Sequence, residues 1–415
     1  MHSFKHRLGA LALAAALGLG LAGCGAPAPD IAPLETPAPA ATPAPEPAAS
    51  EEYRAVWVSY LEFSSMTWDS AEAFAASAAA LMDDCAALGL NTVILQVRPF
   101  ADALYPSELF PWHHGITGAQ GTDPGYDPLA IMVEAAHARG LRLEAWINPY
   151  RVALNETLPG ALAENSLAHT HPEWVKQVGG GLYLEPSDPG VQDYICRGVA
   201  EIVENYEVDG IHFDDYFYPT TDPAFDEAEY SASGQSLPLA DWRRRNVNEL
   251  VAAVYQTIKS IRPACRFGIS PQGNNDNNYN SQYSDVALWL ATPGYVDYIM
   301  PQVYWGYGYT TKGGSTAYAY ENVTARWAEM ERCGAVDLYF GLGAYRIGDG
   351  DGGSYEHAVD QWNTGHQLAD MVTTLRGLDC GGFALYRYNF LSESFSPYPE
   401  LAAAERSALQ AVLAG

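Results

Sequence analysis

Along the chain, short apolar runs alternate with amphipathic stretches that carry helical spacing, and the alternation repeats eight times. The apolar runs are residues 55–61, 92–98, 141–148, 210–216, 266–271, 296–305, 337–345 and 381–388, and each has the length and aromatic or β-branched content of a strand. Between them, segments such as SAEAFAASAAALMDDCAALG, DPLAIMVEAAHARG, PGVQDYICRGVAEIVENY and ADWRRRNVNELVAAVYQTIKSI space their apolar residues three and four apart. Gly or Pro stands near many of their ends. Eight strand and helix units in one domain predict an α/β fold, a single (β/α)8 TIM barrel. No glycine-rich phosphate loop follows the first strand, which speaks against a dinucleotide fold.

Within the strands, apolar and polar positions alternate. Val93, Leu95 and Val97 oppose Ile94, Gln96 and Arg98; Leu143, Ala145 and Ile147 oppose Glu144, Trp146 and Asn148; Ile211 and Phe213 oppose His212, Asp214 and Tyr216. Ile299 and Val303 oppose Met300, Gln302 and Tyr304, and Phe383 and Leu385 oppose Tyr386 and Tyr388. One face of each strand should meet the helices and the other the barrel interior. The polar residues crowd toward the strands' carboxyl ends, where barrel enzymes keep their sites.

The amino terminus has another character. Lys5 and Arg7 precede an apolar stretch ending in LAGC, so residues 1–24 read as a lipoprotein signal whose lipobox cysteine, Cys24, would be acylated. Residues 25–52, almost all Ala, Pro and acid, read as an extended linker, and residues 53–415 as the barrel. This order predicts an extracytoplasmic protein, lipid-anchored to a bacterial membrane. With 50 acidic residues against 22 basic ones, the chain should repel nucleic acid. Cys85, Cys196, Cys265, Cys333 and Cys380 are widely spaced and match no zinc pattern; they read as mostly buried thiols, although an exported protein could pair two of them.

The chemistry concentrates around VDGIHFDDYFYP, residues 208–219. Tyr, Trp and Phe gather just past strand ends, in WINPYR, DDYFYP and PQVYWGYGY, as they would in a cleft for sugar rings. Glycoside cleavage usually takes two carboxyl groups. Asp214 should point inward above His212, and Asp215 should point away if the strand stays regular, leaving it nearer a supporting role. A second carboxylate would come from Asp102, Glu185 or Asp276, and Glu144 would support His212 from deeper in the barrel. Substrate contacts are expected from Gln96, Arg98, Trp146, Asn148, Tyr150, Arg151, His212, Tyr216, Gln302, Tyr304, Trp305, Tyr345, Arg346, Tyr386 and Tyr388. Arg98, Arg151, Arg346 and Arg387 would either receive an anionic glycan or neutralise the site's own aspartates. His169 and His171 fall in a loop after strand three, and His113 and His114 read as a surface loop or subsite edge, so neither a metal nor a cofactor is expected.

The blocks AVWVSYLE, NTVILQVRPFADALYPSELFPW, GYDPLAIMVEAAHARGLRLEAWINPYRV, VDGIHFDDYFYP and VDYIMPQVYWGYG resemble, in order, those of the bacterial glycosyl hydrolase-like 10 family. The resemblance implies a TIM barrel and a glycosidase of glycan strands, including peptidoglycan stripped of its stem peptides, with Asp214 and Asp215 as central carboxylates. Glu144 stands where the family is expected to carry histidine. Against chitinase-like barrels, which end the fourth strand in D-G-x-D-x-D-x-E, the segment keeps Asp209, Gly210 and Asp214 but has His212 and Tyr216 in place of the other two acids. Two alternatives remain open: a non-catalytic glycan-binding lipoprotein, and a lytic transglycosylase.

Overall fold

The structure, a computed structural model, describes residues 51–154, 161–356 and 358–415. The signal, Cys24 and nearly all of the linker lie outside the described residues. Glu52, the last residue of the expected linker, bonds Arg54 and Arg376.

Eight parallel strands close into a barrel, in the order the apolar runs predict. They are β1 (Tyr53–Val58), β2 (Thr92–Arg98), β3 (Arg142–Ile147), β4 (Gly210–Phe213), β5 (Arg266–Ile269), β6 (Tyr298–Ile299 and Gln302–Val303), β7 (Asp337–Leu338 and Phe340–Leu342) and β8 (Gly382–Leu385). Each pairs with the next, and β8 pairs with β1, Tyr53 opposite Gly382. Strand β6 is broken at Met300–Pro301, because proline has no N–H for the ladder. The principal helices are α1 (Ala71–Ala87), α2 (Pro128–His137), α3 (Pro189–Asn205), α4 (Leu239–Ile261), α5 (Val286–Ala291), α6 (Tyr320–Ala328), α7 (Gln367–Leu375) and α8 (Pro399–Leu413). Ser70, Asp127, Asp188 and Asp285 cap four of them by accepting a bond from a first-turn N–H. No described helix is long and apolar enough to cross a membrane.

The strand alternation sorts the buried side chains into two clusters. Val93, Leu95, Leu143, Ala145, Ile211, Phe213, Phe383 and Leu385 join the layer under the helices. Tyr53, Ala55, Trp57, Ile94, Trp146, Tyr298, Met300, Tyr339 and Ala384 fill the interior. Two glycines make room for this bulky filling: a Cβ at Gly268 would overlap the Tyr298 ring, and one at Gly210 would lie 2.9 Å from the Glu144 carboxyl carbon. The glycine of VDGIHFDD is therefore a packing requirement.

Two features depart from the expected pattern. Between β3 and α3 the chain inserts an antiparallel sheet of Arg151–Ala153, Val175–Val178 and Gly181–Leu184. Its strands have three or four residues and are in part exposed, too short to register as an alternating run. Strand β4 ends at Phe213, three residues earlier than the apolar run suggests. All five described cysteines are free thiols, buried or half-buried.

Candidate active site

At the carboxyl ends of the strands a cleft is lined by Trp57, Trp146, Asp214, Asp215, Tyr216, Ser270, Gln302, Tyr304 and Tyr386. Six strands contribute, which is how a barrel assembles a site from distant sequence. Roomier surface grooves exist, one of them lined by Asp84, Tyr388 and Arg406, but the strand-end cleft is where two buried aspartates and several aromatic rings meet.

The two aspartates enter together because the strand stops beneath them. The Tyr216 N–H donates to Asp214 Oδ1 at 3.2 Å, and this turn curls the chain as β4 ends. Regular alternation no longer applies beyond Phe213, so the expectation that Asp215 points away is corrected: both side chains line the same cleft. Asp214 Oδ2 accepts from Trp146 Nε1 at 3.1 Å and from Asn148 Nδ2. Asn148 is itself fixed by Gln96 Nε2 at 2.5 Å and by Arg151 Nη2 at 3.0 Å. Gln96 and Asn148 thus hold Asp214 from behind. Arg151 also lies over Phe100 and Tyr216, 4.9 and 5.1 Å from their ring centres. Its charge opposes that of the aspartates, which is the neutralising alternative for this arginine.

Asp215 sits in a cage of carboxamides. Gln272, Gln282 and Gln302 each donate through Nε2, at 3.0, 3.3 and 3.1 Å. Three N–H donors suit an ionised carboxylate, which only accepts. For Asp214, burial, with the charge of Asp215 adding to it, outweighs Arg151 and pushes the carboxyl up to about 7. Near neutrality Asp214 therefore still keeps part of its proton. A reaction needing that proton should lose rate as pH rises through about 7. A basic limb in kcat/KM near that pH is the expected profile; a flat profile from about pH 6 to 9 would contradict it.

Beneath the pair, His212 is fully buried and receives Trp57 Nε1 at 3.3 Å and Ser270 Oγ at 2.9 Å on Nε2. Its Nδ1 therefore carries the hydrogen and donates to the Tyr298 hydroxyl at 2.8 Å, and that hydroxyl donates to Glu144. Burial lowers the His212 pKa to about 3, so the ring stays neutral. His212 was expected to touch substrate; it lies instead under the cleft floor, with Glu144 deeper still.

Other expected contacts divide between the cleft rim and the core. Tyr304 and Tyr386 stack at 5.5 Å, with Tyr345 edge-on to both, and the Arg346 guanidinium lies 4.5 Å from the Tyr345 ring centre. Trp305 stands beyond the cleft lining, stacked on Tyr318 at 5.2 Å. Arg98 is corrected: the ladder shifts register between Gln96 and Arg98, and this bulge turns its side chain outward beside Phe110, 4.1 Å from the ring centre. Tyr150 packs with Phe217 in the layer under the helices. Tyr388 belongs to a 3-10 turn that ends the strand alternation, and its hydroxyl bonds Asp84 on α1 at 3.0 Å.

None of the three candidate second carboxylates reaches the cleft. Asp102 is wholly buried below the loop after β2, where His113 Nδ1 at 2.9 Å and Gln120 Nε2 at 3.2 Å bond one oxygen. Burial raises its pKa, but the charge and hydrogen bond of His113 win and hold the carboxyl well below the usual range. His113 and His114 are thereby corrected from surface positions to buried ones, exposed by 1% and 7%. With Asp102 they are the one described trio of such groups whose ligand atoms lie within 4.8 Å of one another. Asp276 is exposed on a short helix, Asn275–Asn280, facing a separate groove. Glu185 is buried beside Ser187, and burial, against the Ser187 hydrogen bonds, pushes it up to about 7.

Because the folded Glu185 carboxyl titrates above its unfolded value, its stabilisation is complete below about pH 4.5 and is lost as pH rises through about 7. Glu185→Gln should therefore raise Tm at about pH 8 and change it little at about pH 4, as thermal melts at both would show. A lower Tm for the variant at both values would remove Glu185 from this account.

Trp57 and Ser270 were missed as cleft residues, as were Gln272 and Gln282 behind Asp215. Trp57 carried a usable signal: it alternates with Val56 and Val58 on the inward face of β1. The two glutamines sit in a loop whose path no periodicity announces.

Residues 52–356 match the glycosyl hydrolase-like 10 family. The chain is 39% identical over 324 residues to glycosyl hydrolase YngK of Bacillus subtilis (strain 168), covering 72% of this chain and 62% of that protein. It is 38% identical over 295 residues to glycosyl hydrolase DigH of Escherichia coli (strain K12), covering 65% of each. The chain thus spans less than two thirds of the length of these curated relatives. Among solved structures, the PgaB (BpsB) glycoside hydrolase domain from Bordetella bronchiseptica superposes with a TM-score of 0.55 at 14% identity, covering 86% of this chain and 99% of that one. The endo-1,4-beta-mannanase from Rhizomucor miehei gives 0.52 at 12% identity, covering 88% and 96%. These two likenesses concern the fold.

Proposed function

Because the chain belongs to the glycosyl hydrolase-like 10 family, we propose that it is an exported glycoside hydrolase that cuts peptidoglycan or a related envelope glycan strand. The observation that carries this reading is the cleft itself, with Asp214 and Asp215 side by side among Trp57, Trp146, Tyr304 and Tyr386. Flat rings receive the apolar faces of sugars, and a carboxyl that keeps its proton near neutrality can protonate a glycosidic oxygen as the bond breaks. In this reading Asp214 is the acid, Asp215 accepts from its three carboxamides, and Arg151 and Asn148 fix the position of Asp214.

Anchoring through Cys24 would keep the barrel beside its substrate at a membrane face. Its test is membrane partition: Cys24→Ala should release the protein to the soluble extracytoplasmic fraction, and unchanged partition would end the anchor proposal. Catalysis is tested separately with glycan strands freed of stem peptides. The purified protein should generate reducing ends, whereas tight binding with no product after long incubation would favour the non-catalytic alternative.

A further inference from the structure

The cleft offers two carboxyl groups, and both come from one strand end. Cα atoms of adjacent residues are about 3.8 Å apart, and both side chains rise from the end of β4. A conventional glycosidase sets its two carboxyl groups on opposite sides of the sugar, about 5–5.5 Å apart for retention or about 6.5–9.5 Å for inversion. No other carboxyl group lines the cleft among the described residues: Asp102, Glu185 and Asp276 all lie elsewhere. The acid and its partner rise from one strand end, and among the described residues no carboxylate nucleophile stands opposite them.

Tyrosine does not fill the gap. Burial, with the charges of Asp215 and Asp214 adding to it, pushes the Tyr216 hydroxyl up to about 12, and burial raises Tyr304 and Tyr386 as well. A phenolate is therefore disfavoured at all three positions. Among the described residues no protein side chain is left as a nucleophile, and the substrate itself can supply one.

We propose, building on the glycosidase reading above, that the cleft acts on 2-acetamido-2-deoxy sugars and uses the substrate's own acetamido oxygen as nucleophile. Trp57, Trp146, Tyr304 and Tyr386 wall the space for the acetamido methyl, and Asp215 accepts the acetamido N–H. Asp214 gives its proton to the leaving glycosidic oxygen as the C1–O bond breaks. The acetamido carbonyl oxygen bonds C1 from the opposite face, forming a bicyclic oxazolinium whose N–H⁺ faces the Asp215 carboxylate. Water then adds to C1 and passes a proton to Asp214, while the C1 bond to the carbonyl oxygen breaks and restores the acetamide. One water is consumed, the acid is regenerated, and the anomeric configuration is retained.

The test uses the thiazoline analogue of N-acetylglucosamine with wild-type protein and denuded glycan strands. The expected result is inhibition at least about 100-fold tighter than by N-acetylglucosamine itself, as suits a mimic of the bicyclic species, together with a retained anomer in the first product seen by NMR. Calorimetry should show the thiazoline also binding Asp214→Asn, and Asp215→Ala weakening that binding at least about tenfold. Cleavage of glycan without thiazoline inhibition, or a covalent 2-fluoroglycosyl adduct in the intact-protein mass, would overturn this inference and leave the glycosidase reading standing. Absence of any cleavage together with absence of thiazoline binding would remove both.

Discussion

Asp214→Asn is expected to lower glycan hydrolysis by about 10²- to 10⁴-fold, the usual contribution of a positioned general acid. Asparagine has nearly the same shape and its carbonyl can still accept from Trp146 and Asn148, the two donors now on one Asp214 oxygen. Its amide nitrogen then meets the Tyr216 N–H, costing one weak hydrogen bond of about 1 kcal/mol. Removing a buried acid beside Asp215 offsets part of that cost. The variant should therefore melt close to wild type while losing activity, a combination that separates a chemical role from a structural one. Retention of activity to within tenfold, with a folded protein, would exclude Asp214 as the acid.

The largest stability effect should come from a buried ion pair behind the same loop. Arg243 on α4 and Asp226 are both wholly buried and meet through two bonds, Nε to Oδ2 at 2.8 Å and Nη2 to Oδ1 at 2.5 Å. Arg243 also donates to the Tyr283 hydroxyl at 3.0 Å and to the Asp222 carbonyl at 2.8 Å. Asp226→Ala would strand the guanidinium without its counter-ion, a loss of about 3–5 kcal/mol. For a domain of this size that is a fall in Tm of about 4–7 °C. The exposed pair Arg245–Glu249 is the internal contrast, since its removal should cost less than about 1 kcal/mol. Replacing both Asp226 and Arg243 with apolar residues should recover much of the loss, because no charge is then stranded. The grip matters to the cleft as well: Asp222 lies in the segment that follows Asp214 and Asp215, so Asp226→Ala should also reduce activity. Equal melting of Asp226→Ala and wild type would contradict the assignment of this pair.

The barrel was legible in the sequence because its strands are buried on one face by helices and on the other by large interior side chains. The two faces of β2, β3, β4 and β8 could be sorted by period alone, and the sorting failed where the period failed. Arg98 was misplaced by a single bulged residue, which sends every later side chain to the other face. Asp215 was misplaced because β4 ends at Phe213 and a turn held by Asp214 takes over. His113 and His114 looked like a surface pair, yet the buried charge of Asp102 draws them inside. Tyr150 and Tyr388 share the aromatic character of true cleft residues and differ only in the direction their backbones face. Composition cannot distinguish them.

Whether Asp214 and Asp215 cut glycosidic bonds by adding water can be read from the mass of the products. Glycan strands freed of stem peptides, incubated with the purified protein, should yield fragments that carry one added water and end in a reducing sugar. Fragments one water lighter, with an anhydro end, would assign the cleft to a lytic transglycosylase, and intact strands after long incubation would contradict such cleavage outright.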